Sequence, residues 1–307
     1  MKLNALQALV AAVEEGSLRS AGKRLGYSQP ALTKMIKDLE LELAAPLLVR
    51  NTRGVVPTVQ GQLLFEHARR VNQEIDQATQ QIAQLGGTMC GEVNIAAVPV
   101  ALMLLVPEAL RTFVPEFPGV HMRVSEEMYL EQLQQLRSGA VDIAIGGIPA
   151  GLANGEFHVE ELMSTTMVVV ARKGSPYARS RSLRQLVDAQ WVYTNTATDA
   201  GYARNLFERW DMPPPPIGAV VNSTLALLAL VATGDYVGLL PEDIMRHPLA
   251  CGQFEEVPIE EAGLPMRIGA IVRSSNYVTP AVRYFIAHLH RAAQPYRYKQ
   301  RPHAWAA

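Results

Sequence analysis

Gln29, Thr33 and Lys34 stand at i, i+4 and i+5 of a stretch with helical periodicity, so they share one face while Leu32 and Ile36 turn inward. These side chains can read base edges: Gln pairs bidentately with adenine, Lys donates to guanine, and Thr offers a hydroxyl or a methyl. Lys37, one turn beyond Lys34, suits a phosphate oxygen better than a base. Arg53 sits at the tip of a turn, Asn51-Thr52-Arg53-Gly54, with Arg50 behind it, and such cations can enter a narrow minor groove. A single exposed Lys is ordinarily a solvated charge; the combination on one element points to duplex DNA.

Presenting such a face needs a bracing helix, a tight turn and a second helix whose first residues reach the major groove. Leu3, Leu6, Leu9, Val10 and Val13 recur at helical spacing, Gly16 ends that helix, and Ser17 caps another running to Leu25. Gly26-Tyr27 make the turn, Ser28 caps the third helix, and Pro30 occupies its first turn at no hydrogen-bond cost. Leu32, Met35, Ile36, Leu39 and Leu43 give it a core stripe, and Pro46 stops it. Short strands at Leu47 to Val49 and Val55-Val56 flank the basic turn as a wing. The expectation is a winged helix-turn-helix over residues 1–58, with Ser28, Gln29, Pro30, Thr33, Lys34, Lys37, Arg50 and Arg53 facing DNA.

From Thr58 to Leu85 the pattern is one long helix in which Leu64, Ala68, Val71, Ile75, Ala78, Ile82 and Leu85 alternate four and three apart. A 3.5-residue period held this long favours pairing with a second helix over packing on the chain's own domain, which is the other explanation of the same stripe. Residues 59–88 are thus expected to form a linker and dimerisation helix, broken by Gly86-Gly87 and Gly91.

Beyond Gly91, β-rich runs at Val93 to Val98, Val120 to Val124, Val141 to Ile145, Met167 to Ala171, Val237 to Leu240 and Ile268 to Val272 alternate with helical stretches. The helical stretches are Leu102 to Val114, Leu130 to Ser138, Ala203 to Trp210, Leu225 to Thr233 and Pro280 to Arg291. Alternation of this kind predicts an α/β unit with a largely parallel sheet, and residues 295–307 read as a frayed tail.

The chain has 307 residues, 49% of them apolar, enough for two or three domains. Its net charge of -1 conceals an asymmetry, because residues 1–60 carry eight Lys or Arg against five Asp or Glu. Cys90 and Cys251 have no metal-ligand spacing, which fits structural thiols in a reducing compartment. Glu14-Glu15 stand where a leader's cleavage site would fall, and the longest apolar run, Leu225 to Ala232, is far below the ~20 residues of a membrane span, so a soluble cytoplasmic protein is expected. No phosphate loop, dinucleotide fingerprint, nucleophile elbow or zincin motif occurs, and His288 and His290 point to different sides of a helix, so neither an enzyme nor a metal or cofactor site is expected. A solute receptor without a DNA role and a nonspecific DNA binder remain as other classes.

Ser17-Leu18, Ala21, Leu25, Ser28-Gln29-Pro30-Ala31-Leu32-Thr33, Ile36, Leu39-Glu40, Leu43, Leu47, Arg50, Thr58 and Gly61 together resemble the LysR-type transcriptional regulators. Within that family the chain is similar to regulators of aromatic-sulfonate catabolism and of sugar uptake. Gly22 replaces a usual Ala, and Ala44-Ala45-Pro46 replaces a Gly-led turn.

The resemblance implies an effector domain over 91–294, like a periplasmic binding protein, with two Rossmann-like lobes, 91–162 plus 268–294 and 163–267. A small organic or aromatic anion would bind between them as inducer, at Val98, Pro99, Val100, Tyr129, Gly147, Ile148, Thr194, Thr196, Ser223 and Thr224. Ser223 and Thr224 serve equally well as a helix cap. The resemblance further implies a homotetramer, a dimer of dimers, that holds promoter DNA and contacts RNA polymerase.

Overall fold

The computed structural model describes residues 1–51, 54–86, 89–127, 129–148, 152, 155–194, 202–250, 252–274 and 278–297. The chain divides into two compact units, Met1–Thr88 with Arg137–Ala140, and Met89–Leu136 with Val141–Ala307.

In the first unit, α1 (Leu3–Glu15), α2 (Leu18–Leu25) and α3 (Gln29–Glu42) precede the hairpin β1 (Leu48–Asn51) and β2 (Gly54–Pro57), and α4 (Val59–Leu85) follows. Gly16 and Gly26 close α1 and α2 with left-handed φ of 61° and 72°. Ser17 Oγ accepts from Ser20 N, and Ser28 Oγ from Ala31 N, as the sequence predicts. Ala8, Ala11, Ala12, Leu18, Ala21, Leu32, Ile36 and Val55 make one buried cluster, and Leu6, Leu9, Val10, Leu39, Leu47 and Ala68 a second.

Both departures from the family pattern have a physical account. A Cβ on Gly22 would lie 2.7 Å from the Tyr27 carbonyl oxygen, so the bare backbone lets α2 close on its own turn. Ala44 takes a left-handed φ of 49° to leave α3, the conformation a glycine adopts without strain.

The second unit holds one nine-stranded sheet. In chain order come β3 (Gly91–Ala97), α5 (Pro99–Leu104), α6 (Val106–Glu116), β4 (Val120–Glu126), α7 (Tyr129–Ser138), β5 (Ile143–Gly147) and β6 (Phe157–Arg172). Two short 3-10 turns lead to β7 (Gln190–Thr194), α8 (Tyr202–Arg209), β8 (Ile217–Val221), α9 (Thr224–Thr233), β9 (Tyr236–Pro241) and α10 (Glu242–Met245). β10 (Phe254–Glu256), β11 (Leu264–Arg273) and α11 (Pro280–Arg297) complete it. The strand order is β4-β3-β5-β11-β6-β9-β7-β8, with β10 added beside β6.

The sheet is mixed rather than largely parallel. β3 pairs in parallel with β4 and β5, and β7 with β8 and β9, whereas β6 and β11 are antiparallel to each other and to every other strand they touch. Hydrophobic runs identified strands but carried no mark of direction. The expected helix Leu102 to Val114 is two, α5 and α6, with Leu105 at the break. The final helix runs to Arg297, beyond the expected end at Arg291, through Pro295. Arg297 holds it there, with Nε donating to Leu162 O and Nη2 to Glu161 O, both at 2.7 Å.

Facing β11, β6 carries an extra residue: Ile268 is opposite Met163 and Gly269 opposite Glu161, leaving Leu162 as a bulge. One parallel set, β3, β4 and β5, lies on one side of this crossover, and β7, β8 and β9 lie on the other.

Because Ala44 bears left-handed strain, Ala44→Gly is expected to stabilise the first unit by about 1 kcal/mol in urea unfolding of the full chain. Gly61→Ala is expected to do the reverse, since its Cβ would fall 1.8 Å from Leu47 O. A lower midpoint for Ala44→Gly would refute the strain.

Candidate functional site

In the first unit, α3 presents Ser28, Gln29, Pro30, Lys34 and Lys37 to solvent, with Thr33 half-buried among them. Leu32, Ile36 and Leu39 anchor the opposite side in the core. Thr33 Oγ1 donates to Gln29 O at 2.8 Å, so its hydroxyl proton is occupied within the helix and its methyl and lone pairs are what remain for a base. Ser28 Oγ accepts from Ala31 N and keeps its own proton for a phosphate oxygen. Arg53 lies outside the described residues, and so does the side chain of Arg50; the backbone of Arg50 pairs with Val55 in the wing.

The wing is joined to α3 by Glu40, a residue whose type and spacing do not single it out. Glu40 Oε1 accepts from Leu47 N at 2.8 Å and from Leu48 N at 3.2 Å, fixing the start of β1 to α3. Its signal was only its place in the family pattern, because an acid on a helix is ordinarily surface charge. Thr58 clamps the other end: its Oγ1 donates to Pro46 O and accepts from Gly61 N, while its own N–H reaches Leu47 O. The bare Gly61 lets α4 approach that carbonyl.

The expected pairing stripe on α4 divides. Leu64 is half-buried and Ala68 is 1% exposed, both against Leu9, Leu39 and Leu47 of the chain's own core. Those two positions therefore follow the other explanation, packing within the domain. Val71, Ile75 and Ile82 are 42%, 39% and 72% exposed, with Ala78 exposed between them. The Leu85 side chain lies outside the described residues.

In the second unit the registers decide where a ligand could sit. β5 ends at Gly147, opposite Ile268, which faces Met163, and β9 ends at Pro241, opposite Met167. The carboxyl ends of the two oppositely directed sets thus converge on residues 163–167 of β6. Carboxyl ends of open α/β sheets are where ligands bind.

On the first side, Val98 N donates to Ile145 O, Glu127 N to Ala97 O and Ile148 N to Arg267 O. Pro99 has no N–H, and Ala101 N and Leu102 N both bond Val98 O. The Val100 side chain is buried in the core. Gly147 is half-buried with open space at its Cβ position, and the Ile148 side chain lies against Gly269. The Tyr129 side chain lies outside the described residues.

On the second side, Thr194 ends β7 half-buried, and Thr196 lies outside the described residues. Ser223 has N-cap geometry at α9 but makes no capping side-chain hydrogen bond, so capping does not occupy its hydroxyl. Thr224 is buried in the first turn. A cavity of about 320 Å3 lined by Gly174, Ser175, Pro176, Ala178, Arg179 and Glu255 lies just past the C-terminal end of β6. Among the described residues no helix is long and apolar enough to cross a membrane, and no cluster of His, Cys, Asp or Glu could hold a metal.

Known proteins match both units. The family model described as a bacterial regulatory helix-turn-helix protein, lysR family, matches residues 3–62, and the LysR substrate binding domain matches residues 86–294. The regulator TdcA of Escherichia coli (strain K12) is 30% identical over 267 residues, covering 86% of this chain and 84% of TdcA. Full-length OxyR C199D from Pseudomonas aeruginosa shares the fold with a TM-score of 0.71 at 21% identity, covering 98% of this chain and 99% of that one. So does CbnR, solved in complex with its target DNA, with a TM-score of 0.69 at 21% identity over 95% of this chain and all of that one.

Removing the Glu40 carboxylate deprives two backbone N–H groups of their acceptor. Glu40→Ala is expected to speed amide hydrogen exchange at Leu47 and Leu48 while leaving the core of α1 protected. Unchanged exchange at both amides would remove the clamp from the account.

Proposed function

The chain belongs to the LysR family of DNA-binding transcriptional regulators, and from that premise we propose that it works as a homo-oligomer whose grip on promoter DNA is set by a small-molecule inducer. The observation that carries this is the recognition helix with Gln29, Thr33, Lys34 and Lys37 outward, continuous through the Glu40 and Thr58 clamps with a helix whose Val71, Ile75, Ala78 and Ile82 are uncovered. Gln29, Thr33 and Lys34 read bases; Ser28 and Lys37 hold phosphates; Arg50 and Arg53 reach the minor groove. The head spans residues 1–58, the linker 59–88 and the effector domain 91–294.

Pairing through α4 brings two heads to one duplex, and a further interface joins two such dimers. The gain is one of effective concentration, because a head with a small positive charge excess binds weakly alone. The inducer is an organic anion whose charge sits near Ser223, Thr224 and the N-terminus of α9, where the helix dipole favours it. By preferring one placement of the lobes it shifts the population of DNA-bound states and the contact with RNA polymerase.

Lys34→Ala is expected to lower the ratio of operator to random-duplex affinity about tenfold or more, whereas Lys37→Ala weakens both equally and flattens the salt slope by about one unit. Competition gel shifts across a salt series measure both. Identical losses on the two duplexes for Lys34→Ala would deny it a base-reading role.

Ile75→Asp with Ile82→Asp is expected to give a smaller species in sedimentation and to lose operator affinity while the head stays folded. An unchanged assembly would exclude α4 as the pairing element.

A further inference from the structure

β6 ends at Arg172, and Gly174, with a left-handed φ of 74° and open space at its Cβ position, turns the chain into the 3-10 turn Pro176–Arg179. Backbone bonds fix this corner: Ser175 N donates to Arg172 O at 3.0 Å, and Lys173 N to Gln253 O at 3.1 Å. β10 lies alongside, with Glu255 opposite Ala171. The cavity of about 320 Å3 opens here, at the small end of ligand pockets, which span roughly 300–1,000 Å3.

Two opposite charges, Arg179 and Glu255, line this cavity without meeting. Among the described residues neither the Arg179 guanidinium nor the Glu255 carboxylate has a hydrogen-bond or ion-pair partner. Arg179 is exposed and Glu255 half-buried. Neighbouring charges are matched within the fold: Arg172 Nη2 donates to Asp235 Oδ1 at 2.7 Å, and Glu261 Oε1 accepts from Ser182 Oγ and Leu183 N. Ser175 Oγ, on the cavity wall, accepts from Tyr177 N and keeps its own proton to donate.

The sequence biases the corner toward anions. Between Leu162 and Val187 it places Arg172, Lys173, Arg179, Arg181 and Arg184 and no Asp or Glu, although the chain beyond residue 60 is net negative. Such a field draws a negative group in, and Glu255 then stands as a carboxylate facing it. A plain anion meets repulsion at Glu255, and a plain cation meets it at Arg179. A small ligand carrying both signs satisfies both through charge-assisted hydrogen bonds.

We propose that this corner is a second small-molecule site on the effector unit and that it takes a zwitterionic amino acid, its carboxylate on Arg179 and Ser175 Oγ and its ammonium on Glu255. Arg172 lies five residues beyond Met167, ~16 Å along the strand, so the site is separate from the convergence at 163–167 and does not depend on the inducer reading.

A thermal-shift screen of the full chain against the common L-amino acids at millimolar concentration, followed by calorimetry on those that bind, tests it. At least one amino acid is expected to bind. Its N-acetyl derivative, which lacks the ammonium, and its amide, which lacks the carboxylate, are each expected to bind about tenfold or more weakly. Glu255→Gln is expected to bring the amino acid down to the level of its N-acetyl derivative, and Arg179→Gln to that of its amide. Both positions reach solvent, and an unchanged circular dichroism spectrum verifies the fold of each variant.

An amino acid that binds as tightly after both substitutions overturns the assignment by placing its site elsewhere. So does a singly charged derivative that matches its parent, and so does a screen in which no amino acid binds, which would leave Arg179 and Glu255 as solvated charges.

Discussion

Two long antiparallel strands, β6 and β11, govern the effector unit. Each runs past the bulge at Leu162, and each is antiparallel to all its partners, so the parallel sets on either side must point in opposite senses toward the crossover. From that constraint comes the convergence of Val98, Gly147, Thr194 and Ser223 on one stretch of β6. Arg297 secures the same place from α11 by bonding the carbonyls of Glu161 and Leu162 beside the bulge. Had β6 paired in parallel with β9, the second set of carboxyl ends would have faced away.

The reading head depends on a similar economy of close approaches. Gly22, Gly54 and Gly61 each stand where a Cβ would meet a backbone oxygen at 2.7, 2.3 and 1.8 Å. Glu40 and Thr58 then tie the recognition helix, wing and linker helix through backbone groups that would otherwise lack partners. Any repositioning of α4 is transmitted to α3 through these bonds and the shared core around Leu39, Leu47 and Ala68. A head built this way can be aimed by its linker.

Local signals were legible wherever a residue's own chemistry decides its place. Ser17, Ser28 and Pro30 announced helix starts, and Gly16 and Gly26 announced stops. The apolar stripe of α4 was also visible, but its division was not: a heptad pattern cannot tell that Leu64 and Ala68 meet α1 and α3 while Ile75 and Ile82 stay uncovered. Strands β7, β8 and β10 escaped notice because Gln190–Thr194, Ile217–Val221 and Phe254–Glu256 are short and border Pro-rich or polar joints. Gln132 looked like any glutamine in a Gln-rich helix, and no neighbour in sequence marks its side chain as buried.

Sequence alone determined the class of the molecule: a helix-turn-helix, a long helix after it and an α/β region, all encoded in capping residues, periodicity and side-chain type. Tertiary structure decided the direction of the strands, the bulge that divides them, and which charged groups share a cavity where β6 ends. The reason is physical. Caps and stripes are set by neighbours a few residues apart, whereas strand direction and the placing of Arg179 and Glu255 at one cavity are set by partners distant in sequence that meet only when the sheet closes.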